Sequence, residues 1–304
     1  MIELPERTRR VCASRLEEIL QRYDCTSVVD PFMGLPTHLN YLKRHGFAVH
    51  GGDLVQWFVR AGEGLVVNDF TILRDNEVAE IVEMLPGRIY NVDLFKAWEG
   101  VFFSEEQCIY LGVWHDNVRN LRSDGQTGLA IYGLWNVLCY WLQKARCPDD
   151  MQDVPPSELA WQYIRKTEQW VATNTRRNTV RAADVLTTIH AQKADALFVA
   201  PPARNSFRTA DARIWMWEAW WQGNPYYNIE HTYRDSLFGR RSSDENGYAQ
   251  AFASVLSNAQ DYPVIVVQTT EQRVRDFEPH LRNARAKLEV IARSGGEVYL
   301  IATK

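Results

Sequence analysis

The sequence is poor in the features that announce several common protein classes. Five cysteines stand at positions 12, 25, 108, 139 and 147. That is an odd number with no Cys-x-x-Cys spacing, which argues against a disulfide framework or zinc knuckle and for a reducing, cytoplasmic setting. The longest nearly apolar run, Leu129–Leu142, has 14 residues and an internal Asn136. It is too short to cross a bilayer and reads as a buried helix, so no membrane association is expected. The N-terminus is charged from its third residue and does not read as a secretory signal. No GxxxxGK[ST] loop is present, which excludes a P-loop site, and Asp124–Gly128 (DGQTG) reads as a turn. The seven histidines show no HExxH or other ligand spacing, so no bound metal is expected. A net charge of −4 excludes a uniformly basic nucleic-acid binder.

What remains is ordinary globular composition over 304 residues, 46% hydrophobic and 24% charged. Such a chain can bury an extensive core unaided, and its length suits two domains or one α/β domain with an insertion. The charge is uneven. Residues 1–174 hold 17 Lys+Arg against 24 Asp+Glu, net −7, and residues 175–304 hold 17 against 14, net +3. A locally basic face in the second half stays open, as does plain uneven surface charge.

Residues 9–23 have helical periodicity with Val11, Leu16, Ile19 and Leu20 on one face. A β-branched run then ends in Asp30-Pro31-Phe32-Met33-Gly34, a buried strand entering a loop. Residues 37–45 read as a helix stopped by Gly46, and Phe47–Val49 as a second strand leading to Gly51-Gly52-Asp53. Together these make a βαβ unit with parallel strands and a right-handed crossover. Residues 86–174 are rich in Trp, Tyr and Leu, with helical spacing in 105–121, 128–146 and 157–172, and read as a helical insertion. Strand signals return at 179–181, at Ala196–Ala200 and at Tyr262–Gln268. Residues 271–285 look helical, and 287–291 with 297–303 form a terminal β-hairpin. The expected fold is α/β, a mostly parallel sheet with helices on both faces. It comprises 1–85 and 175–304, interrupted by the insertion.

In open α/β sheets, ligands bind at the carboxyl ends of strands near the topological switch point. Four strand ends carry informative residues. Gly34 in the first lets backbone approach a ligand closely. Asp53, about 20 residues later, is placed to bind ribose hydroxyls. Asp184 follows the third strand signal, and Ala200-Pro201-Pro202-Ala203 follows the fourth. Asp184 also reads as an ordinary helix N-cap.

In this order the four motifs resemble class I S-adenosylmethionine-dependent methyltransferases, and more narrowly the Dam-like N6-adenine DNA methyltransferases. DPFMGLPTHLNYLKRHGFAVHGGD is similar to that family's cofactor loop, helix and second strand. VFFSEEQCIYLGVWHDNVRNL (101–121) is similar to its FF-[ST]-xEN segment, and LAIYGLWNVLCYWLQKARCPDD falls at its following helix. VRAADVLTTIHAQKADALFVAPPARNSF is similar to the strand with the adenine-contacting acid and then the catalytic DPPY strand. Tyr226, Tyr227, His231 and Leu237 loosely follow the downstream pattern. The resemblance implies S-adenosylmethionine as cofactor. Backbone at Asp30, Pro31, Phe32 and Gly34 would face its methionine moiety, Asp53 its ribose and Asp184 its adenine amine. DNA is the implied partner, with residues 86–174 as a target-recognition-like subdomain.

The chain departs from that pattern at the reacting centre. The family's Asp/Asn-Pro-Pro-Tyr/Phe reads Ala200-Pro201-Pro202-Ala203 here. A methyl group accepts no hydrogen bond from a target amine, and loss of such a group typically costs about 10²–10⁴-fold in rate. Loss of the ring that stacks on a flipped base costs roughly a further 1–3 kcal/mol. Pro36 replaces the family's second loop glycine, fixing φ and removing an N–H, and the family's N-terminal glycine-lysine segment is absent from residues 1–10. Asn205 and Asp211 are the nearest polar replacements for the missing acceptor. The expected role is therefore a cofactor- or nucleic-acid-binding homologue with little or no catalysis. The alternatives are an active methyltransferase on another acceptor, or an interaction subunit acting as a homo-oligomer or beside an active partner.

Two clusters have two readings each. Trp215, Trp217, Trp220 and Trp221 either line a pocket or pack an amphipathic helix onto a sheet or an oligomer interface. Arg176, Arg177, Arg181, Arg204, Arg208, Arg213, Arg234, Arg240 and Arg241 are either phosphate contacts or ordinary surface charge.

Overall fold

A computed structural model describes residues 6–145, 153–202, 212–241, 245–292 and 296–304. The chain runs α1 (Glu6–Arg22), β1 (Ser27–Asp30), α2 (Thr37–Arg44), β2 (Ala48–Asp53) and α3 (Gln56–Gly62). Helices α4 (Asp75–Val82), α5 (Glu105–Val118), α6 (Asp124–Lys144) and α7 (Pro156–Glu168) follow. It returns through β3 (Thr179–Ala182), α8 (Val185–Ala191) and β4 (Ala196–Val199) to α9 (Ala212–Gln222). Then come α10 (Glu230–Arg234), α11 (Leu237–Arg241), α12 (Glu245–Asn258), β5 (Val264–Thr270), α13 (Val274–Ala284), β6 (Lys287–Ala292) and β7 (Glu297–Thr303).

Residues 1–59, 173–209 and 230–304 form one compact unit, and residues 60–172 with 210–229 form a second. The first holds a seven-stranded sheet in the order β3-β2-β1-β4-β5-β7-β6. β1 to β5 are parallel; β7 runs antiparallel to both β5 and β6. This is a class I methyltransferase-like α/β fold. The reversed strand follows from the terminal hairpin, because only a hairpin returns the chain between two neighbours without a crossover.

The central strands are short and apolar because both faces are covered. Val28 and Val29 of β1, Leu197 and Val199 of β4 and Ile265 to Val267 of β5 have no exposed surface. On one face Val29, Leu197, Val199, Ile265 and Val267 meet Phe252 and Val255 of α12 and Phe277 and Leu281 of α13. Burying each such side chain stabilises the fold by about 1.5–3 kcal/mol. β2 continues to Asp53, so that acid is the last residue of the strand itself. Gly46 at φ +90° ends the turn after α2 and leads the chain into β2.

The second unit is helical. α6 is apolar on most of its circumference and buried along Leu129–Leu138, as its composition demands. Asp124–Gly128 is its first turn rather than a free turn, because Ser123 caps the helix by accepting the N–H of Gln126. α5 begins in a capping box: Ser104 and Gln107 exchange side chain-to-backbone bonds at 3.2 and 2.9 Å. The compact helical unit starts at Arg60, ahead of the expected 86, and takes in the Trp-rich helix α9.

Candidate cofactor site and catalytic edge

The sheet order turns outward from the β1–β4 pair in both directions, which makes their carboxyl ends the switch point. β1 ends in Asp30, 1% exposed, whose Oδ1 accepts the N–H of Phe32 at 3.0 Å. Burial pushes its carboxyl up to about 7; the Phe32 N–H opposes this and the charge of Asp53 adds to it. Pro31 is buried, and Phe32 packs edge-on against Phe238 at 5.4 Å. The aromatic ring of the loop is thus spent on the core, leaving its backbone at the strand ends.

The loop is stitched to β2. Met33 donates its N–H to the Gly52 carbonyl at 3.0 Å, and Gly34 donates to Asp53 Oδ2 at 2.9 Å. Gly34 holds φ +53°, a left-handed conformation that glycine adopts at little cost. Asp53 Oδ1 accepts from Val55 at 2.9 Å. Pro36 precedes α2 as its cap, where an N–H would have no intrahelical partner, so its missing donor costs the helix nothing.

Close packing explains Gly51-Gly52. A Cβ at Gly51 would lie 2.5 Å from Met33 Sδ, and one at Gly52 would lie 2.1 Å from Thr188 Oγ1. Thr188 in turn donates to the Asp184 carbonyl at 3.0 Å. Asp184 takes the capping role left open by the sequence: Oδ1 accepts from Leu186 at 2.8 Å. Its Oδ2 accepts from Leu237 at 3.2 Å, fastening the start of α8 to the start of α11.

β4 delivers Ala200, Pro201 and Pro202 beside this loop's strand. Ala200 is half-buried and presents only a methyl group; Pro201 is buried. The Pro202 carbonyl accepts from Tyr248 Oη at 2.8 Å and Arg273 Nη2 at 3.3 Å. Arg273 also donates to Tyr248 Oη at 2.5 Å and lies over the rings of Tyr248 and Phe277. The sequence reading missed this clamp, since it joins residues 202, 248 and 273 with no local signal. Ala203, Asn205 and Asp211 lie outside the described residues, as do Arg204 and Arg208.

Arg176 and Arg177 precede β3 and therefore sit at the amino end of the sheet, away from Asp53. Arg177 and Arg181 act on His50, whose Nδ1 lies 2.9 Å from Thr179 Oγ1. Burial first, then the charges of Arg181 and Arg177, push His50 down to about 4. Arg234 is exposed.

Among the described residues no three His, Cys, Asp or Glu side chains gather as a metal site. No helix among them is long and apolar enough to cross a membrane. Cys25, Cys108 and Cys139 are free and buried; burial pushes the thiols of Cys25 and Cys108 up to about 11, which keeps them unreactive. In α9, Trp217 and Trp220 stack at 4.3 Å and 9° inside the helical unit, and Trp220 Nε1 donates to the Leu111 carbonyl at 2.9 Å. Packing accounts for those two. Trp221 lies against the guanidinium of Arg119 at 4.9 Å, and Trp215 is half-exposed.

No family model matches the chain, and no curated protein matches it. Among solved structures, the rRNA methyltransferase aviRa from Streptomyces viridochromogenes is similar over 91% of this chain and 76% of that one. The identity is 12% and the TM-score 0.31.

Proposed function

We propose that this chain is an S-adenosylmethionine-binding homologue of the Dam-like adenine methyltransferases whose own methyl transfer has been lost. One observation carries the reading: Asp53 closes β2 with its carboxylate drawn to the Gly34 N–H, at the carboxyl edge of a class I sheet. This fits the ribose end of the cofactor, because Asp53 ends β2 at that edge and orders the loop beside it. The loop backbone from Asp30 to Gly34 would border the methionine moiety.

S-adenosylmethionine, when bound, supplies an electrophilic methyl group. The chain's residues at the reacting edge do not match that supply. Ala200 offers no acceptor to hold a target amine's lone pair toward a methyl group, and no proton acceptor for the amine. The two prolines remain, and Tyr248 and Arg273 hold the second of them, so the strand end is kept while its polar group is gone. Asp184 spends one bond from each oxygen on backbone capping, so an adenine amine would share its remaining lone pairs.

DNA is the partner we assign by resemblance, with the sheet-bearing unit as the face that meets it. That unit carries 23 Lys+Arg against 19 Asp+Glu, net +4, within a chain of net −4.

The test is calorimetric titration of the full chain with S-adenosylhomocysteine, beside a radiolabelled methyl-transfer assay on unmethylated duplex DNA. Micromolar binding with no transfer supports the reading. Transfer at an ordinary enzymatic rate overturns the loss of catalysis, and absence of binding overturns the cofactor assignment.

A further inference from the structure

The helical unit carries a cup of about 420 Å³ lined by Trp98, Phe102, Trp215, Tyr226 and Tyr227, with Ala97, Pro225 and Asn228 completing it. The volume lies in the small-molecule range. Trp98 forms a buried wall at 2% exposure, whereas Tyr226 is 79% exposed. Both indole N–H groups are already committed: Trp98 Nε1 donates to the Pro225 carbonyl at 3.2 Å and Trp215 Nε1 to the Tyr227 carbonyl at 2.5 Å. These bonds pin the 225–227 segment across the two indoles; Trp98 forms the back of the cup, and the half-exposed Trp215 has its ring left to offer. The faces are inclined. Trp98 and Trp215 meet at 57° with centroids 5.9 Å apart, and Phe102 and Trp215 at 61° and 6.1 Å.

We infer that this cup is a cation–π cage for an alkylated ammonium head group, a site distinct from the cofactor reading above and independent of it. Electron-rich ring faces attract a cation within about 6 Å of their centroids. A planar base stacks between parallel rings, whereas inclined rings converge on a compact, near-spherical ligand. Charge complementarity points the same way. Among the described residues the lining holds no charged side chain, and the unit that contains it has 11 Lys+Arg against 19 Asp+Glu, net −8. A field of that sign attracts a cation and repels a phosphate backbone. A fully alkylated nitrogen has no N–H to satisfy, so a cup whose indole donors are occupied loses nothing by enclosing it.

The experiment follows tryptophan fluorescence and binding heat of the full chain with tetramethylammonium and choline, against the neutral carbon isostere dimethylbutanol. The expected result is saturable binding of both cations, with the isostere about tenfold weaker or more. Tyr226→Ala, at an exposed position, weakens choline several-fold and leaves S-adenosylhomocysteine binding and the unfolding midpoint unchanged; Trp215→Phe, which keeps a ring but loses the bond to the Tyr227 carbonyl, weakens choline several-fold and leaves S-adenosylhomocysteine binding unchanged. A trimethyllysine peptide binding tighter than choline assigns the head group to a protein side chain; the reverse order assigns it to a free metabolite. Both orders support the cage. Equal binding of the isostere, no binding of either cation, or adenosine displacing choline overturns it.

Discussion

Asp53 Oδ2 accepts the backbone N–H of Gly34 across 2.9 Å, joining the end of β2 to the loop that leaves β1. With Val55 on the other oxygen, one carboxylate organises both the loop and the entry to α3, and it does so at the edge where this sheet type binds ligands.

Replacing Asp53 therefore affects two properties. Asp53→Ala removes an acceptor from two N–H groups and lowers stability by about 1–3 kcal/mol, read from urea unfolding. It also removes the acceptor proposed for the ribose, so S-adenosylhomocysteine binding is expected to fall below detection. Asp53→Asn keeps one carbonyl oxygen and recovers part of the stability without recovering binding. Full binding by the Asn variant would show that the carboxylate is structural only.

Two buried titrating groups give opposite pH slopes. His50 sits near 4 when folded, below its usual 6.5, so the unfolded state binds more protons between those values. Its contribution is present above about pH 6.5 and is lost as pH falls toward 4, at about 1.4 kcal/mol per pH unit. Asp30 sits near 7, above the usual 3.8, so the folded state holds the extra proton. Its contribution is present below about pH 4 and is lost as pH rises toward 7, with the same limiting slope of about 1.4 kcal/mol per unit. Asp30→Asn, which still accepts from Phe32, gains stability relative to wild type as pH rises from 5 to 8. His50→Gln loses the acid-side decline. Denaturant midpoints across that range read both, and parallel profiles for all three proteins would contradict the assignment.

The glycine pair in β2 is asymmetric. An added methyl at Gly51 meets only the far ends of two flexible side chains, Met33 Sδ at 2.5 Å and Leu39 Cδ1 at 2.8 Å. At Gly52 it meets Thr188, which has no exposed surface, at Oγ1, Cγ2 and Cβ, on a side chain bonded to Asp184. Gly52→Ala is expected to destabilise by about 1–3 kcal/mol or more, and Gly51→Ala by less. Thermal melts order the two; the reverse order would mean that α8 shifts as a body.

Restoring chemistry tests the reading of the β4 motif. Ala200→Asp with Ala203→Tyr returns the acceptor and the ring, and the double variant is expected to transfer labelled methyl to adenine in DNA above the wild-type background. A gain on the order of 10²-fold matches the value of one positioned acid–base group. A gain on a different acceptor would redirect the substrate assignment.

Periodicity and composition were enough to locate the βαβ start, the helical segment and the terminal hairpin. Short apolar strands, an amphipathic α2 and Gly46 are local signals, and they held to within a few residues. The sequence also marked Asp30, Gly34, Asp53, Asp184 and the prolines at 201 and 202, because strand ends are recognisable where β-branched runs stop. It misread Asp124–Gly128, where a turn-like composition was overridden by the Ser123 cap and by burial of α6.

Other decisions were tertiary. That Asp184 fastens α11 as well as capping α8 depended on where Leu237 places its N–H group, 53 residues away. The clamp on Pro202 needed Tyr248 and Arg273, and the inclined rings of the aromatic cup needed Trp98 to meet Trp215. Such contacts join residues far apart in the chain, and no local pattern encodes them. The sequence determined which strands form and that an acid ends each of the first two, Asp30 in β1 and Asp53 in β2. Packing decided which carboxylate lone pairs and ring faces are spent on the fold.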